Sequence, residues 1–275
     1  MSGAAPRALA ATVVAVVANG AHDEAVQALV GLCRDAAVQP IVISLGTTPD
    51  AAREDHDGVV VFRGLLPRYL NNAVASLRLS SLPALGWWRT NDDTQLRDLA
   101  VLVDRLVLDA ADPLPQWRQV PALAALTAVS DIRWARLTRW RDLLAQYFDL
   151  PEVRRLSTPF TRAVLVGQDA PTVALFGGWL NARLPGGARL ELVREAGEAA
   201  PLERVELLGE AGCVTLSLLP HSSCVQTSIE GGNQASSTRI VPAGESRLDV
   251  LLRGELRIRS RDLAFEDAAR EGLTS

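Results

Sequence analysis

Two short stretches of the chain combine tryptophan with arginine, and these side chains are its strongest candidates for chemistry. Tryptophan offers a large apolar area and arginine a fork of hydrogen-bond donors, a combination typical of hot spots at protein interfaces. The same arginines could instead hold a sugar phosphate through bidentate hydrogen bonds. We interpret the set as a partner-binding site, with sugar-phosphate binding as the alternative. The candidate residues are Trp87, Trp88, Arg89, Arg133, Trp134, Arg136, Arg139 and Arg141.

The same pattern also fits tryptophans that pack in a hydrophobic core and carry solvated arginines around them. Neighbouring residues of a strand point to opposite faces, so at least one of Trp87 and Trp88 is expected in the core. Trp140 lies on the apolar stripe of a predicted helix, which favours a core position. Trp134 precedes that helix and is the better interface candidate.

The residue types that most catalytic sites need are missing or scattered. All 28 basic residues are arginine, so Schiff-base chemistry and a P-loop lysine are excluded. His22, His56 and His221 have no metal-ligand spacing, and we expect neither a metal nor another cofactor. The motifs G-x-G-x-x-G, G-x-x-x-x-G-K and G-x-S-x-G do not occur. A pair of catalytic carboxylates is unsupported rather than excluded, and the sequence predicts a protein that is not an enzyme.

Composition limits the partners and the compartment. A net charge of -4 and a pI near 5.5 give no electrostatic basis for binding nucleic acid. The longest apolar runs fall short of the roughly 20 residues that cross a bilayer, and the first residues lack the layout of a signal peptide. Three cysteines are an odd number, which fits a reducing compartment. We therefore expect a cytoplasmic protein with neither a nucleic acid nor a membrane as its partner.

The three cysteines do not suggest a disulfide. Cys33 follows apolar residues at helical spacing, which predicts a core position. Cys213 and Cys224 lie in two neighbouring predicted strands. If Leu219 pairs with Cys224, Cys213 lies five to six residues further along its own strand, which separates the two cysteines by roughly 17 to 20 Å. That distance is beyond the reach of a disulfide bond.

The elements that must position these residues fall into two predicted domains. Residues 1–112 alternate short apolar runs with helical patterns, which predicts an N-terminal α/β domain with a mostly parallel sheet and crossover helices. Prolines from Pro113 to Pro121 mark the predicted boundary. Residues 113–275 predict a C-terminal α+β domain with an antiparallel meander, one solvated sheet face and closing helices.

Polar residues at expected helix starts refine this picture. Asp92 predicts the N-cap of a helix that runs to about Leu106, and Thr138 predicts the cap of the helix that contains Trp140. Asp169, followed closely by proline, predicts the start of another helix. The glycine-containing segment 230–237 predicts a mobile loop.

Four stretches carry a resemblance to a known family, namely Leu82–Arg89 with Val107–Asp109, Asp131–Arg141, Gly178–Leu184 and Leu251–Phe265. On them the chain resembles the glucose-6-phosphate dehydrogenase assembly protein family, OpcA. The resemblance implies a non-catalytic protein that associates with glucose-6-phosphate dehydrogenase, promotes its active oligomer and raises its activity in the oxidative pentose phosphate pathway.

The chain departs from the family pattern near its start. The family has a longer segment before its first strand, and a turn resembling Pro-Ser-Arg where this chain has Val38, Gln39 and Pro40. Cyanobacterial members are linked to thioredoxin control, but none of the three cysteines matches a family redox position, so redox control is not carried over. Two other functions stay open: an enzyme or sugar-phosphate-binding module, and an interaction subunit of an unrelated complex.

Overall fold

Long runs of valine, isoleucine, leucine and alanine are buried on both faces when they form parallel strands, and such runs build the first sheet of the computed structural model. The chain divides into two compact units, Met1–Ile132 with Ser246–Asp262, and Arg133–Glu245 with Leu263–Ser275. The predicted α/β fold class, with a mostly parallel first sheet and a second sheet containing antiparallel strands, is confirmed. The structure describes residues 10–274 except 19, 48–51, 150–159, 185–189, 211 and 232–236.

The strands and helices are numbered separately in chain order. The strands are β1 (Ala11–Val17), β2 (Val38–Leu45), β3 (Ala52–His56), β4 (Val59–Leu65), β5 (Ala84–Arg89), β6 (Arg105–Leu108), β7 (Ala128–Asp131), β8 (Phe160–Gly167), β9 (Glu191–Ala196), β10 (Arg204–Gly209), β11 (Gly212–Leu218), β12 (Cys224–Glu230) and β13 (Ser237–Pro242). The helices are α1 (His22–Asp35), α2 (Leu70–Leu77), α3 (Leu96–Leu102), α4 (Leu114–Leu123), α5 (Ile132–Arg136), α6 (Thr138–Phe148), α7 (Ala170–Arg183), α8 (Leu248–Glu255) and α9 (Leu263–Gly272).

The first unit contains a seven-stranded sheet in the order β3-β4-β2-β1-β5-β6-β7. β3 pairs antiparallel with β4, whereas the other neighbouring strands pair in parallel. Every residue of β1 is buried, because this strand lies in the middle of the sheet between β2 and β5. Without β3, the strand order is that of a doubly wound dinucleotide-binding fold, and the order reverses between β1 and β5.

Helix α8 belongs to the first unit although it lies near the end of the chain. It packs on α1, where a Cβ atom added to Gly31 would lie 3.2 Å from the Asp249 side chain. Arg253 of α8 forms an ion pair of 2.6 Å with Asp35 at the end of α1. The division predicted at residue 112 therefore differs from the two units, which group α4, β7 and α8 with the first sheet.

Two predicted helix starts are wrong and one is confirmed. α3 begins at Leu96, because Asp92 instead accepts a hydrogen bond of 3.0 Å from the Thr94 amide and forms a turn. The same helix ends at Leu102, so Leu106 lies in β6 rather than in the helix. Thr138 is the first residue of α6 and not its cap. Asp169 is the N-cap of α7, since it accepts a hydrogen bond of 3.1 Å from the Thr172 amide.

The second unit contains a six-stranded sheet in the order β13-β12-β11-β10-β8-β9. β10, β11 and β12 form an antiparallel meander as predicted, and β8 and the unpredicted strand β13 extend it on either side. β9 was predicted to belong to this meander, but it pairs in parallel with β8 at the edge of the sheet. Buried Val205 and Leu207 alternate with the partly exposed Glu206, so β10 packs one face and leaves the other to solvent. Most of the predicted mobile loop 230–237 lies outside the described residues.

Candidate partner-binding site

The arginine-rich candidate residues of the second unit lie on two short helices that follow β7. α5 carries Arg133, Trp134 and Arg136, and the helix after it carries the rest of the set. As predicted, α6 is amphipathic and buries Trp140 together with its leucine neighbours. The apolar stripe faces the core because such residues recur at helical spacing, and this leaves Arg139 on a more exposed side of the helix.

Trp134 is a core residue. Only 2% of its surface is exposed, and its ring centroid lies 6.0 Å from that of Phe265 in α9. The guanidinium carbon of Arg141 lies 3.4 Å from the centre of the Trp134 ring, and Arg141 donates a hydrogen bond of 3.2 Å to the Trp134 carbonyl. The ring of Trp134 is thus covered within its own unit, and a partner contact by this side chain stays a prediction.

Arg133 holds α5 against α7. Its Nε atom donates a hydrogen bond of 2.9 Å to the Asp169 carboxylate, and the arginine is buried. The same carboxylate caps α7, so one acidic residue both accepts a hydrogen bond from a helix amide and neutralises the arginine. Arg133 has a structural position that sequence reasoning missed, since nothing in the spacing of the two residues links them.

Arg136 and Arg139 differ from these neighbours because they are partly exposed and weakly engaged. The Arg136 side chain makes no hydrogen bond or ion pair with the part of the chain that the structure describes. Arg139 donates one hydrogen bond of 3.1 Å to the carbonyl of Pro242. These two guanidinium groups keep most of their donors for a partner, which Arg133 and Arg141 do not.

The candidate residues of the first unit lie at the end of β5. Trp87 and Trp88 are fully buried, so both belong to the core. The Trp87 indole donates a hydrogen bond of 3.0 Å to Asp109, and Arg89 lies 5.6 Å from the centre of the Trp87 ring. Arg89 also pairs with Glu24 at 2.6 Å. The predicted site therefore consists of two clusters, one in each unit.

Glu24 and Asp109 were missed as neighbours of Arg89, although the sheet topology explains their positions. Asp109 directly follows β6, and Glu24 lies in the first turn of the helix that follows β1. Parallel strands end at the same edge of a sheet, so these side chains meet beside β5. The predicted strand Val107–Asp109 was the feature of the sequence that could have placed Asp109 at this edge.

The order of the parallel strands raises the question whether this edge fits a dinucleotide. In such folds the pyrophosphate lies against the N-terminus of the helix after β1, where glycines allow close approach. Here Asp23 and Glu24 occupy the first turn of that helix, and Gly20 is the only glycine between β1 and α1. Two carboxylates would repel a pyrophosphate, and Arg89 is already paired with Glu24. The residues at this edge do not fit a dinucleotide.

The three cysteines are free, and two of their thiols have a raised pKa. Cys213 pairs with Glu230 in the sheet register, while the Cys224 carbonyl accepts a hydrogen bond of 2.9 Å from the Leu219 amide, as predicted. Burial raises the pKa of the Cys33 thiol. Burial and the nearby Glu230 carboxylate raise the pKa of the Cys213 thiol, and a raised pKa leaves less reactive thiolate.

Two further searches cover only the described ranges. Within them, no three histidine, cysteine, aspartate or glutamate side chains come together as a set that could hold a metal ion. Within the same ranges, every helix is too short or too polar to cross a bilayer.

Comparison with known proteins places the chain in a family. Residues 127–269 match a family model that describes the C-terminal domain of a glucose-6-phosphate dehydrogenase subunit. The "Putative OxPP cycle protein OpcA" of Synechococcus elongatus is 23% identical over 238 residues, which cover 71% of this chain and 54% of that protein. The protein of the same name from Nostoc punctiforme is 26% identical over 125 residues, or 42% of this chain and 27% of its own length.

The chain thus spans about half the length, or less, of the curated relatives that it matches. Among solved structures, a super-repressor mutant of Gal80p from Saccharomyces cerevisiae aligns over 88% of this chain and 82% of its own, at 8% identity and a TM-score of 0.48. A TM-score below 0.5 does not establish a shared fold. The family model, in contrast, covers just over half of the chain, and the chain therefore belongs to the OpcA family.

Proposed function

We propose that this chain is a non-catalytic, cytoplasmic partner of glucose-6-phosphate dehydrogenase that assembles or activates the enzyme in the oxidative pentose phosphate cycle. The observation that carries the proposal is the match of residues 127–269 to a family model that describes part of a glucose-6-phosphate dehydrogenase subunit. The names of the curated relatives, which refer to the OxPP cycle, support the same pathway.

Activation by binding requires a difference in affinity. A partner shifts an enzyme toward its active conformation or oligomer only when it binds that form more tightly than the resting form. A tenfold preference corresponds to about 1.4 kcal/mol, which a few well-placed arginine contacts can supply. The proposal therefore needs a surface with available donors rather than a catalytic pocket.

We assign the partner contact to Arg136 and Arg139. Both side chains are partly exposed, and Arg136 has no charged partner among the described residues. Trp134 supports this surface from within the second unit, because its ring is buried. The arginines fit an acidic patch on the dehydrogenase, since a planar guanidinium pairs bidentately with carboxylates.

The alternative of a sugar-phosphate site in the arginine-rich region loses support from these contacts. Arg133 is committed to Asp169, and Arg141 lies against the Trp134 ring. A phosphate there would have to displace the Asp169 carboxylate from the buried Arg133, and breaking such a charge pair is costly.

A direct test mixes the purified chain with the glucose-6-phosphate dehydrogenase of the same organism. Light scattering after gel filtration measures the complex, and initial rates at varied glucose 6-phosphate concentration give kcat and KM. We expect a complex and a higher kcat or a lower KM. The absence of both a complex and a kinetic change would refute the proposal, and capture of an unrelated complex instead would support the interaction-subunit alternative.

Charge reversal then tests the assigned surface. We expect the double variant Arg136→Glu/Arg139→Glu to weaken the complex at least about tenfold, because like charges would face the acidic patch. The double variant Arg97→Glu/Arg118→Glu, at exposed positions of α3 and α4, changes the net charge equally, is the matched control and should bind as the unmodified chain does. Equal weakening by the control would show that only net charge matters.

A further inference from the structure

A cavity of about 220 Å³ lies at the amino-terminal edge of the first sheet, beside the starts of β5 and β6. Its walls combine apolar side chains with four charged ones. The returning segment of the first unit supplies part of the wall, because Glu255 ends α8 and Ile258 and Arg259 follow it. The charged lining residues are Asp104, Arg105, Glu255 and Arg259.

Two of these charges are buried at the wall of the cavity. Arg105 and Glu255 each expose only 4% of their side chains, and their closest nitrogen and oxygen atoms are 2.6 Å apart. Both Nε and Nη2 of Arg105 approach the same oxygen of Glu255, while Nη1 reaches the Ser260 carbonyl only at 3.4 Å. Hydrogen-bonding capacity therefore remains on the two Nη atoms.

A buried charge pair beside an open space is expensive unless its remaining donors find partners. Burial raises the pKa of Glu255, and the neighbouring Arg105 opposes that shift. A polar ligand in the cavity would satisfy the remaining donors of Arg105, which an apolar ligand would leave unpaired.

The pairing of the charges at the cavity leaves a place for an anion at Arg259. Asp104 accepts a hydrogen bond of 2.7 Å from the Ala84 amide and pairs with Arg78 at 3.5 Å. Glu255 is paired with Arg105, whereas the exposed Arg259 has no hydrogen bond or ion pair within the described ranges. Two arginines and two carboxylates thus line the cavity, both carboxylates are engaged, and Arg259 is the lining charge that has no partner among the described residues.

We propose that this cavity binds a compact hydroxylated organic anion, either a carboxylate or a phosphate monoester, with its charge at Arg259 and its hydroxyl groups near Arg105 and Asp104. A cavity of 150 Å³ holds benzene, with six carbon atoms, so 220 Å³ accommodates roughly nine non-hydrogen atoms. This binding site is independent of the proposed dehydrogenase partner, and its test does not involve that enzyme.

Isothermal titration of the full chain at constant ionic strength tests the proposal with four probes. They are sn-glycerol 3-phosphate, D-glycerate, glycerol and inorganic phosphate. We expect at least one of the two hydroxylated anions to bind with a Kd of about 1 mM or lower, and glycerol and phosphate to bind at least about tenfold more weakly. Whichever of the two anions binds more tightly shows whether the site prefers a phosphate monoester or a carboxylate. Failure of both anions to bind, or equal binding of inorganic phosphate, would overturn the proposal.

Three variants locate the binding. Arg259→Gln should weaken the anion at least about tenfold, and Ile258→Trp should abolish binding because the larger ring fills the cavity. Ile258 is 39% exposed, so this change spares the core, and circular dichroism melting checks the fold. Arg257→Gln is the matched control, since Arg257 is exposed and does not line the cavity. Unchanged binding in either test variant, or equal loss in the control, would overturn the assignment.

Discussion

Arginine is the only basic residue type of this chain apart from histidine, and several of its guanidinium groups hold structural positions. Arg105 pairs with a buried glutamate, and Arg133 links two helices through an aspartate. Arg141 covers a tryptophan ring. The planar, weakly hydrated guanidinium suits such sites better than an ammonium group does. Whether a partner can reach an arginine therefore depends on its exposure and on its hydrogen bonds and ion pairs within the chain, and not on residue type.

The buried pair of Arg105 and Glu255 gives a sharp prediction about stability. Glu255→Leu should lower the free energy of unfolding by about 3 to 5 kcal/mol, because it leaves Arg105 buried and uncompensated. The double variant Arg105→Met/Glu255→Leu should recover most of that loss, since an apolar pair carries no desolvation cost. Urea unfolding measures both. A double variant as unstable as the single one would contradict this explanation.

The raised pKa of Cys213 predicts slow alkylation. At pH 7.5 its thiol should react with iodoacetamide more slowly than free cysteine does, because burial and Glu230 reduce the thiolate fraction. Glu230→Gln should raise the rate by removing the nearby negative charge. Mass spectrometry of the modified peptide measures both rates, and Cys213→Ser is the blank. A Cys213 rate above that of free cysteine would show that the thiol is activated instead.

At the scale of elements, the second unit depends on the close crossing of α7 and α9. Gly178 lies at the contact, where an added Cβ atom would lie 2.2 Å from the Ala268 carbonyl oxygen and 2.6 Å from the Gly272 amide nitrogen. Both are backbone atoms that cannot move aside as a flexible side chain would. The glycine is thus required by close packing and not by its backbone conformation.

Gly178→Ala should therefore destabilise the protein by about 1 to 3 kcal/mol, the usual cost of overpacking. Gly254→Ala is the matched control, because Gly254 lies in α8 and an added Cβ atom would meet nothing within 4 Å. We expect that control to be neutral or to stabilise by about 0.5 to 1 kcal/mol through its higher helix propensity. Chemical denaturation measures the free energy of unfolding of both variants. Equal changes in the two variants would argue against the close crossing.

At the scale of the whole molecule, the chain leaves the first unit after Ile132, returns for Ser246–Asp262 and ends in the second unit. Each unit has its own sheet and its own buried side chains. Compact units with separate cores can open independently, because cooperative unfolding follows contiguous packing.

Hydrogen exchange should separate the two units. Glu255→Leu should speed amide exchange mainly in β5 and β6, and Gly178→Ala mainly in β8 and α9, because each change weakens packing in its own unit. Mass spectrometry of peptic fragments provides the two exchange maps. If each variant speeded exchange equally in both units, the molecule would unfold as one cooperative body.

Much of the architecture could be predicted from local patterns. The continuous apolar run of β5 indicated a central strand, and the stripe that includes Trp140 indicated a buried helix face. Asp169 was predictable as a cap, because a cap bonds within its own first turn. Asp92 was not, since the same carboxylate can equally close a turn with the amide two residues later.

The sequence by itself determined the α/β character of the protein, its lack of lysine chemistry and the places where tryptophan and arginine come together, because these depend on composition and periodicity. Only the tertiary structure decided that Trp134 is covered, that Arg133 is paired with Asp169 and that Arg105 meets Glu255 across 150 residues of chain. Burial and pairing depend on contacts between residues that are distant in sequence. No local spacing encodes which guanidinium group finds a carboxylate and which one remains open to a partner.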